Sequence, residues 1–262
     1  VGLGPADHHR HLRARQLGQV AQHQHESAGR VPPEEVPGAS GAQPPDVPFL
    51  QGLREGWGIV VGRRWLSAGL GAEAVYTLVV LPAIFVLGPV LAKQELNGAS
   101  SWAVIVAGFG VGSVAGNLIA LRWRPPRPMA AVALFLVLAS TQGTIIGSGL
   151  PVGGIAILEA IAGVGVALYW TLWDTTVQEQ VPPDAVARVS SYDYGISIGL
   201  MPVGLITAVP VTEAIGLHAT LRWMTVCGVV AALLLLAVPE VRALRRPEAQ
   251  ERDEGPEAGR AR

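Results

Sequence analysis

The sequence predicts an all-α integral membrane protein whose core is a bundle of six transmembrane helices. Half of the 262 residues are hydrophobic and 15% are charged, whereas soluble domains carry about 25% charged residues. The mean hydropathy is +0.40. Residues 129–150 contain no charged side chain, and a helix of about 20 apolar residues is needed to cross a hydrocarbon core of ~30 Å. Because lipid offers no hydrogen-bond partners, such a segment must bond its own backbone, as a helix does.

Composition also argues against several classes of function. The net charge of −1 argues against a nucleic-acid surface. Cys227 is the only cysteine, so the chain has neither a disulfide framework nor a thiolate metal site. The N-terminal histidines could bind a metal, but no carboxylate or cysteine stands at ligand spacing, and a solvated tail is favoured. We therefore expect no metal ion and no cofactor. These histidines are His8, His9, His11, His23 and His25.

The chain divides by composition into four segments. Residues 1–48 are rich in Pro, Gly, Gln and His without apolar periodicity, and we expect them to be disordered. Residues 49–64 place apolar side chains at helical spacing opposite Arg54 and Glu55, which predicts an amphipathic helix at the membrane interface. Residues 65–239 form the six-span domain, and residues 240–262 are predicted to be a disordered cytoplasmic tail.

Six spans are predicted from the apolar runs and the polar turns between them. They cover residues 65–91, 102–121, 129–150, 152–178, 192–211 and 217–239.

Basic residues in the turns predict the orientation, because cytoplasmic turns carry an excess of Lys and Arg. The opposite set of turns carries only Lys93. Both termini are therefore expected in the cytoplasm, in a multi-pass protein of the cell membrane. The arginine-bearing set comprises Arg54, Arg63, Arg64, Arg122, Arg124, Arg127, Arg188, Arg242, Arg245 and Arg246.

Glycines at intervals of four residues indicate close helix packing. The second span holds Gly108, Gly112 and Gly116, and the fifth holds Gly195 and Gly199. Small residues let helix backbones approach where no hydrophobic effect drives helices together. Adaptation to bends, or generic packing within the bundle, explains the same glycines equally well.

Carboxylates inside the spans are the candidate functional groups, because ionisable residues are rare in lipid. Glu159 lies about two turns inside the fourth span, where it could carry a proton or make a structural hydrogen bond. Glu73 has Tyr76 and Thr77 on its face, and it is either buried or at the cytoplasmic interface, depending on where the first span begins.

Asp174 stands near the cytoplasmic end of the fourth span. It is about 22 Å along the helix from Glu159, so the two cannot form an acid–base pair. An ion pair with Arg122 or Arg124 is predicted.

Other chemistry finds little support in the sequence. His218 is the only histidine in the membrane part and stands at a span end, so no serine–histidine nucleophile can be assembled without it. No Walker loop is present. An enzyme is therefore not expected.

Three sequence runs resemble exporters of the major facilitator superfamily. TLWDTTVQEQVPPDAVARVSSYD (171–193) is similar to the link between that family's tenth and eleventh helices, in its enterobactin-exporter-like and actinobacterial drug-efflux branch. GNLIALRWRPPRP (116–128) resembles its basic turn between the eighth and ninth helices, and FLQGLREGWGIVVGRRWL (49–66) its entry into the seventh.

The resemblance implies the C-terminal half of a twelve-helix transporter, with the substrate site between two six-helix halves. The second and fifth spans would turn their glycine faces toward the other half. The basic turn of that half would meet Asp193; without that half, Asp193 is left to Arg188 or water. The first and fourth spans would line the substrate and proton path, with Glu73, Tyr76, Glu159, Tyr169 and Trp170 near it.

The expected function is secondary transport, namely proton-coupled efflux of a small molecule by alternating access. The alternative is a non-transporting remnant, or a partner subunit of a split transporter. The expected partners are the lipid bilayer, a small-molecule substrate, and either the missing N-terminal half or a second copy. On this interpretation the chain alone does not transport.

Overall fold

The computed structural model describes residues 49–246, which form helices and turns. A preceding helix, α1 (Phe49–Gly62), leads into six long helices and a short last one. These are α2 (Arg64–Glu95), α3 (Ala99–Arg122), α4 (Pro128–Ile146), α5 (Val152–Gln180), α6 (Pro183–Ile215), α7 (Leu217–Ala237) and α8 (Pro239–Ala243).

The prediction of an all-α six-helix membrane bundle is confirmed. Within the described residues, α2 to α7 are long and apolar enough to cross a membrane, and they correspond in order to the six predicted spans. The chain is a multi-pass membrane protein. The predicted disordered segments at residues 1–48 and 247–262 lie outside the described residues, as do the N-terminal histidines.

Residues 240–246 differ from the predicted disordered tail. Pro239–Ala243 is helical, Val241 is fully buried, and the Arg246 side chain is also buried. Arg246 Nε lies 3.2 Å from Glu179 Oε2. This ion pair and the apolar contact of Val241 tie the segment to the bundle.

Proline and glycine place the turns between helices. Pro128 and Pro183 stand in the first turns of α4 and α6, where a missing N–H costs no helical hydrogen bond. Gly216 joins α6 to α7 with φ +86, a left-handed conformation that glycine adopts without steric cost.

The first membrane helix is not a regular α-helix. Two π-helical turns, Tyr76–Val80 and Ala83–Leu87, flank Pro82. The N–H of Leu81 bonds to the carbonyl of Tyr76, five residues earlier. Pro82 has no N–H to donate, which interrupts the regular ladder at this point.

The second and fourth membrane helices, α3 and α5, pack together most closely. The chain runs in the same direction along both, because Gly108, Gly112 and Gly116 lie in order against Ala156, Ala160 and Val164. A Cβ atom at any of these glycines would run into the backbone of α5.

The expectation that this glycine face would be turned toward a second half is therefore wrong. The three glycines of α3 are covered by α5 of the same chain, since only their small size lets the two backbones meet. Gly195 and Gly199 of α6 behave differently, because no heavy atom lies within 4 Å of a Cβ built on either.

Two membrane helices remain largely uncovered. The most apolar 18 residues of α3 and α6 are 17% and 11% buried, whereas the other four helices reach 33% to 50%. The exposed side chains on α6 include Tyr194, Ile198 and Ile206. Of the six membrane helices, α3 and α6 thus offer the most uncovered apolar surface.

Candidate functional site

A cavity of about 560 Å³ lies among α2, α3 and α5, with one residue each from α4 and α6 at its wall. Its lining is apolar and aromatic apart from three polar side chains, which is typical of pockets for small organic ligands. The lining residues are Tyr76, Leu81, Ile84, Phe85, Trp102, Ile105, Val106, Phe109, Gln142, Glu159, Val166, Trp170 and Met201.

Glycines position two walls of this cavity. Gly88 of α2 lies against the ring of Trp102, and a Cβ at Gly88 would overlap that ring. Gly163 of α5 lets Phe109 of α3 approach, because a Cβ there would meet the Phe109 carbonyl oxygen. The aromatic wall from α3 therefore depends on small residues in α2 and α5.

The polar groups of the cavity form one chain of hydrogen bonds. Tyr76 Oη donates to Gln142 Oε1 at 3.4 Å, and Gln142 Nε2 donates to Glu159 Oε2 at 3.0 Å. All three residues are buried, with Glu159 2% exposed. Glu159 Oε1 has no hydrogen-bond partner within the described part of the chain. A buried carboxyl oxygen without a partner is costly in so apolar a place, so this atom is available to a proton or a bound cation.

Aromatic rings stand beside this chain of hydrogen bonds. The ring centroids of Tyr76 and Tyr169 are 6.0 Å apart, and those of Tyr169 and Trp170 are 5.1 Å apart. Both distances are within the range of favourable aromatic pairs. Trp170 faces the cavity, whereas Tyr169 packs behind its wall and is fully buried.

Glu73 belongs to a second polar cluster, nearer the ends of the helices. Ser197 Oγ of α6 donates to Glu73 Oε1 at 2.6 Å, and Trp173 Nε1 donates to Asp193 Oδ2 at 3.2 Å. Glu73 is fully buried and does not line the large cavity. Of the five residues expected along the substrate path, the structure places Tyr76, Glu159 and Trp170 at the cavity, with Tyr169 behind it and Glu73 apart.

The predicted ion pair of Asp174 is not formed. Across residues 49–246, neither Arg122 nor Arg124 lies within 4.0 Å of its carboxylate. Both arginines are exposed to solvent, while Asp174 lines a small cavity of about 100 Å³ together with Asp193. The physical reason is that Asp174 turns toward α6 and not toward the end of α3.

The first and fourth membrane helices are joined at this end by contacts that the sequence did not reveal. Arg63 Nη1 donates to the Gln180 carbonyl at 2.7 Å, and Gln180 Nε2 donates to the Arg245 carbonyl at 3.2 Å. The Trp65 N–H donates to Glu240 Oε2 at 3.2 Å. The starts of α2 and α8 and the end of α5 are thus linked to one another.

The sequence analysis missed several residues of these sites, among them Gln142, Trp102 and Ser197. Gln142 carried a usable signal, because it is a lone amide within an uncharged apolar run, and polar side chains in such runs usually bond across helices. Trp102 and Ser197 carried none, since nothing local distinguishes them from packing or solvent-facing residues. Within residues 49–246, no group of three His, Cys, Asp or Glu side chains could hold a metal ion.

Comparison with known proteins finds two kinds of relative, both named as efflux proteins. The macrolide efflux protein A of Streptococcus pyogenes is 25% identical over 206 residues, which are 77% of this chain and 50% of that protein. The multidrug efflux pump Tap of Mycobacterium tuberculosis is 28% identical over 199 residues, 75% of this chain and 46% of that protein. The chain thus spans about half the length of the curated relatives it matches. No family model and no solved structure matches.

Proposed function

We propose that this six-helix domain is part of a secondary transporter that exports small amphipathic molecules across the cell membrane. The observation that carries the proposal is the cavity among α2, α3 and α5, which combines aromatic walls with one buried carboxyl group. The similarity to efflux proteins of two bacteria supports it.

The cavity suits a molecule with a large apolar surface and one positive or hydrogen-bonding group. Phe85, Phe109 and Trp170 provide apolar and π surface, on which organic cations bind favourably. The free oxygen of Glu159 provides a single acceptor in a water-poor site, where its electrostatic effect is strong. Macrolides and cationic dyes are therefore suitable first probes.

We further propose that Glu159 couples export to protons. A proton and a cationic substrate would compete for the same carboxyl group, so that protonation releases the substrate. The hydrogen bond from Gln142 would hold the Glu159 carboxyl group toward the cavity, and the hydrogen bond from Tyr76 would fix the side-chain amide of Gln142. Carboxyl groups buried within transporters serve as proton relays in this way.

A complete transporter in this proposal needs a second six-helix unit, as the resemblance to major facilitator exporters implies. The uncovered surfaces of α3 and α6 support this, because they are the least buried of the membrane helices. Alternating access would then arise from rocking of one unit against the other. Both termini of the described domain are proposed to face the cytoplasm.

The test is export of a probe from cells that lack their own efflux pumps. Cells carrying this chain, alone and together with a six-helix unit from a full-length relative, are loaded with ethidium or a radiolabelled macrolide. The proposal expects export with the second unit, loss of proton-driven export in Glu159→Gln, and normal export in the control Glu95→Gln. The control is matched because Glu95 lies at an exposed helix end, paired with His218 at 2.8 Å.

Two results would contradict the proposal. Export that is unchanged in Glu159→Gln, with the same dependence on the proton gradient, would remove Glu159 from the coupling. No export of any probe, from a well-folded domain with its second unit, would favour the alternative of a non-transporting membrane subunit.

A further inference from the structure

We propose that the carboxyl groups of Glu73 in α2 and Asp193 in α6 share one proton, which holds these two helices together. The site is separate from the candidate transport cavity, because neither residue lines that cavity. It does not depend on the export proposed above, since it concerns a contact inside the six-helix domain.

Each of the two carboxyl groups is held in place by one hydrogen bond from a neighbouring helix. Ser197 Oγ of α6 donates to Glu73 Oε1 at 2.6 Å, and Trp173 Nε1 of α5 donates to Asp193 Oδ2 at 3.2 Å. The ring of Trp173 lies against Gly69 of α2, where a Cβ would overlap it. The two side chains therefore have defined positions where α2, α5 and α6 meet.

The second oxygen of each carboxyl group is buried and accepts no hydrogen bond. Within residues 49–246, neither Glu73 Oε2 nor Asp193 Oδ1 has a hydrogen-bond partner. Glu73 is 0% exposed, so bulk water does not solvate its free oxygen. The two carboxyl groups are within hydrogen-bonding reach of each other. Two acceptors without a donor, this close together, leave a position for one hydrogen between them.

One shared proton removes two unfavourable effects at once. Two carboxylates in contact repel each other, and burial removes the water that would otherwise stabilise their charges. In the described part of the chain, no Lys, Arg or His nitrogen lies within 4.0 Å of either carboxyl group. With a proton between them, one carboxyl group donates to the other and the pair carries a single negative charge, as in other paired carboxyl groups of proteins.

Helix α5 brings two further ionisable side chains, Asp174 and Tyr169, near the pair. Tyr169 is fully buried, whereas Asp174 is exposed and lines the cavity of about 100 Å³ together with Asp193. A polar cavity of this size has room for water. Asp193 can therefore exchange its proton with solvent there, while Glu73 stays buried. The negative charge of Asp174 adds to the repulsion that the shared proton relieves.

Loss of the proton would release the first part of α6 from α2. Farther along, the two helices remain in close contact, because a Cβ at Gly204 would meet the Leu78 carbonyl oxygen. Pro202 lies inside α6 between Asp193 and Gly204, and a proline inside a helix interrupts its hydrogen bonds and allows a bend. Since α6 is also the least covered membrane helix, its first part can move away from α2 without displacing another helix.

The first experiment detects the proton by infrared spectroscopy of the purified chain, because a protonated carboxyl group has a carbonyl band that a carboxylate lacks. Every sample carries Glu159→Gln, which removes the other buried carboxyl group. We expect a band from one protonated carboxyl group at neutral pH. The band should disappear in Glu73→Gln and in Asp193→Asn, because either amide donates to the carboxylate that remains. Asp174→Asn is the matched control and should keep the band.

Several results would overturn the assignment. Absence of the band in the Glu159→Gln parent would mean that the pair holds no proton. A band that persists in Asp193→Asn would show that Glu73 binds a proton by itself, and this comparison decides the question even if Glu73→Gln fails to fold. A band that disappears when NaCl replaces choline chloride at the same pH would place a metal cation at the pair.

The second experiment measures the distance between the two helices by electron paramagnetic resonance. Spin labels are attached at Gly71→Cys in α2 and Ile198→Cys in α6, both exposed positions, in a Cys227→Ser background. We expect the distance to increase as the pH is raised. In Glu73→Gln combined with Asp193→Asn it should keep the low-pH value at every pH, because two amides carry no charge and can bond to each other. A distance in the parent that does not change with pH would show that no proton holds α6 against α2.

Discussion

Gly112→Ala tests how far the α3–α5 interface depends on direct contact between backbones. A Cβ at Gly112 would lie 2.6 Å from the carbonyl carbon of Ala160 and closer still to its oxygen, whereas carbon atoms pack at about 3.5–4.0 Å. The helices must separate by about 1 Å to admit one methyl group. Overpacking of this kind costs about 1–3 kcal/mol, which offsets or exceeds the gain of about 1 kcal/mol in helix propensity.

Gly110→Ala is the matched control, because Gly110 lies in the same helix with no heavy atom within 4 Å of its Cβ position. Here only the gain in helix propensity applies. The gain in helix propensity is common to both variants, so we expect their free energies of unfolding, measured by SDS titration and circular dichroism, to differ by the overpacking cost of about 1–3 kcal/mol. If Gly112→Ala unfolds at the same SDS concentration as Gly110→Ala, the close approach of α3 to α5 does not exist in the membrane protein.

Three further predictions concern topology, the cavity and the last helix. Reporter fusions after Lys93 and after Arg124 should report opposite sides of the membrane, and equal signals would contradict the six-span order. Gln142→Leu removes the hydrogen bond that Gln142 donates to Glu159, and we expect the free energy of unfolding to fall by about 1–3 kcal/mol. An unchanged free energy of unfolding would mean that this hydrogen bond is absent. Arg246→Ala removes the ion pair with Glu179, at a cost of about 1 kcal/mol, and should release the segment after α7. Limited proteolysis would detect the release as earlier cleavage near Pro239, and an unchanged cleavage pattern would refute it.

Six helices could be predicted from the sequence because their signals are local. Uncharged runs of about 20 residues and the proline and glycine between them define each span without knowledge of its neighbours. The boundaries at Pro183 and Glu95 were harder to place, since α6 continues through polar residues before its apolar part begins. Helix continuation there depends on Pro183 in its first turn and on packing against α1, where the Trp57 and Tyr192 ring centroids are 5.6 Å apart.

The candidate site was predictable only in part, because it depends on which faces of the helices meet. Glu159 was identified because a carboxylate in an apolar run is rare. Its hydrogen-bond donor Gln142 lies 17 positions earlier, in another helix. No local pattern in either helix indicates that these two side chains are in contact. Glu73 was expected near the substrate path with Tyr76. Its carboxyl group instead accepts a hydrogen bond from Ser197 of α6 and does not line the cavity. The position of a neighbouring helix, which the sequence does not specify, thus determines which of these side chains reaches the cavity.

The spacing of the glycines likewise does not specify which helix packs against them. The spacing of Gly108, Gly112 and Gly116 predicted a close contact, but the expected partner was a second half, whereas the partner in the structure is α5 of the same chain. Gly195 and Gly199 have the same spacing, yet no heavy atom of another helix within the described residues lies within 4 Å of a Cβ built on either. Spacing thus predicts that a helix can be approached closely, whereas the tertiary arrangement determines whether it is.

The two π-helical turns of α2 determine which way the last part of that helix, Gly88–Glu95, faces. A π turn holds one residue more than an α turn, and one residue corresponds to about 100° of rotation in an α-helix. Conversion of Tyr76–Val80 to a regular turn would therefore turn Gly88 away from Trp102 without breaking the helix. A change confined to one turn can therefore rotate Gly88–Glu95 relative to α3, while Arg64–Val75 stays in place.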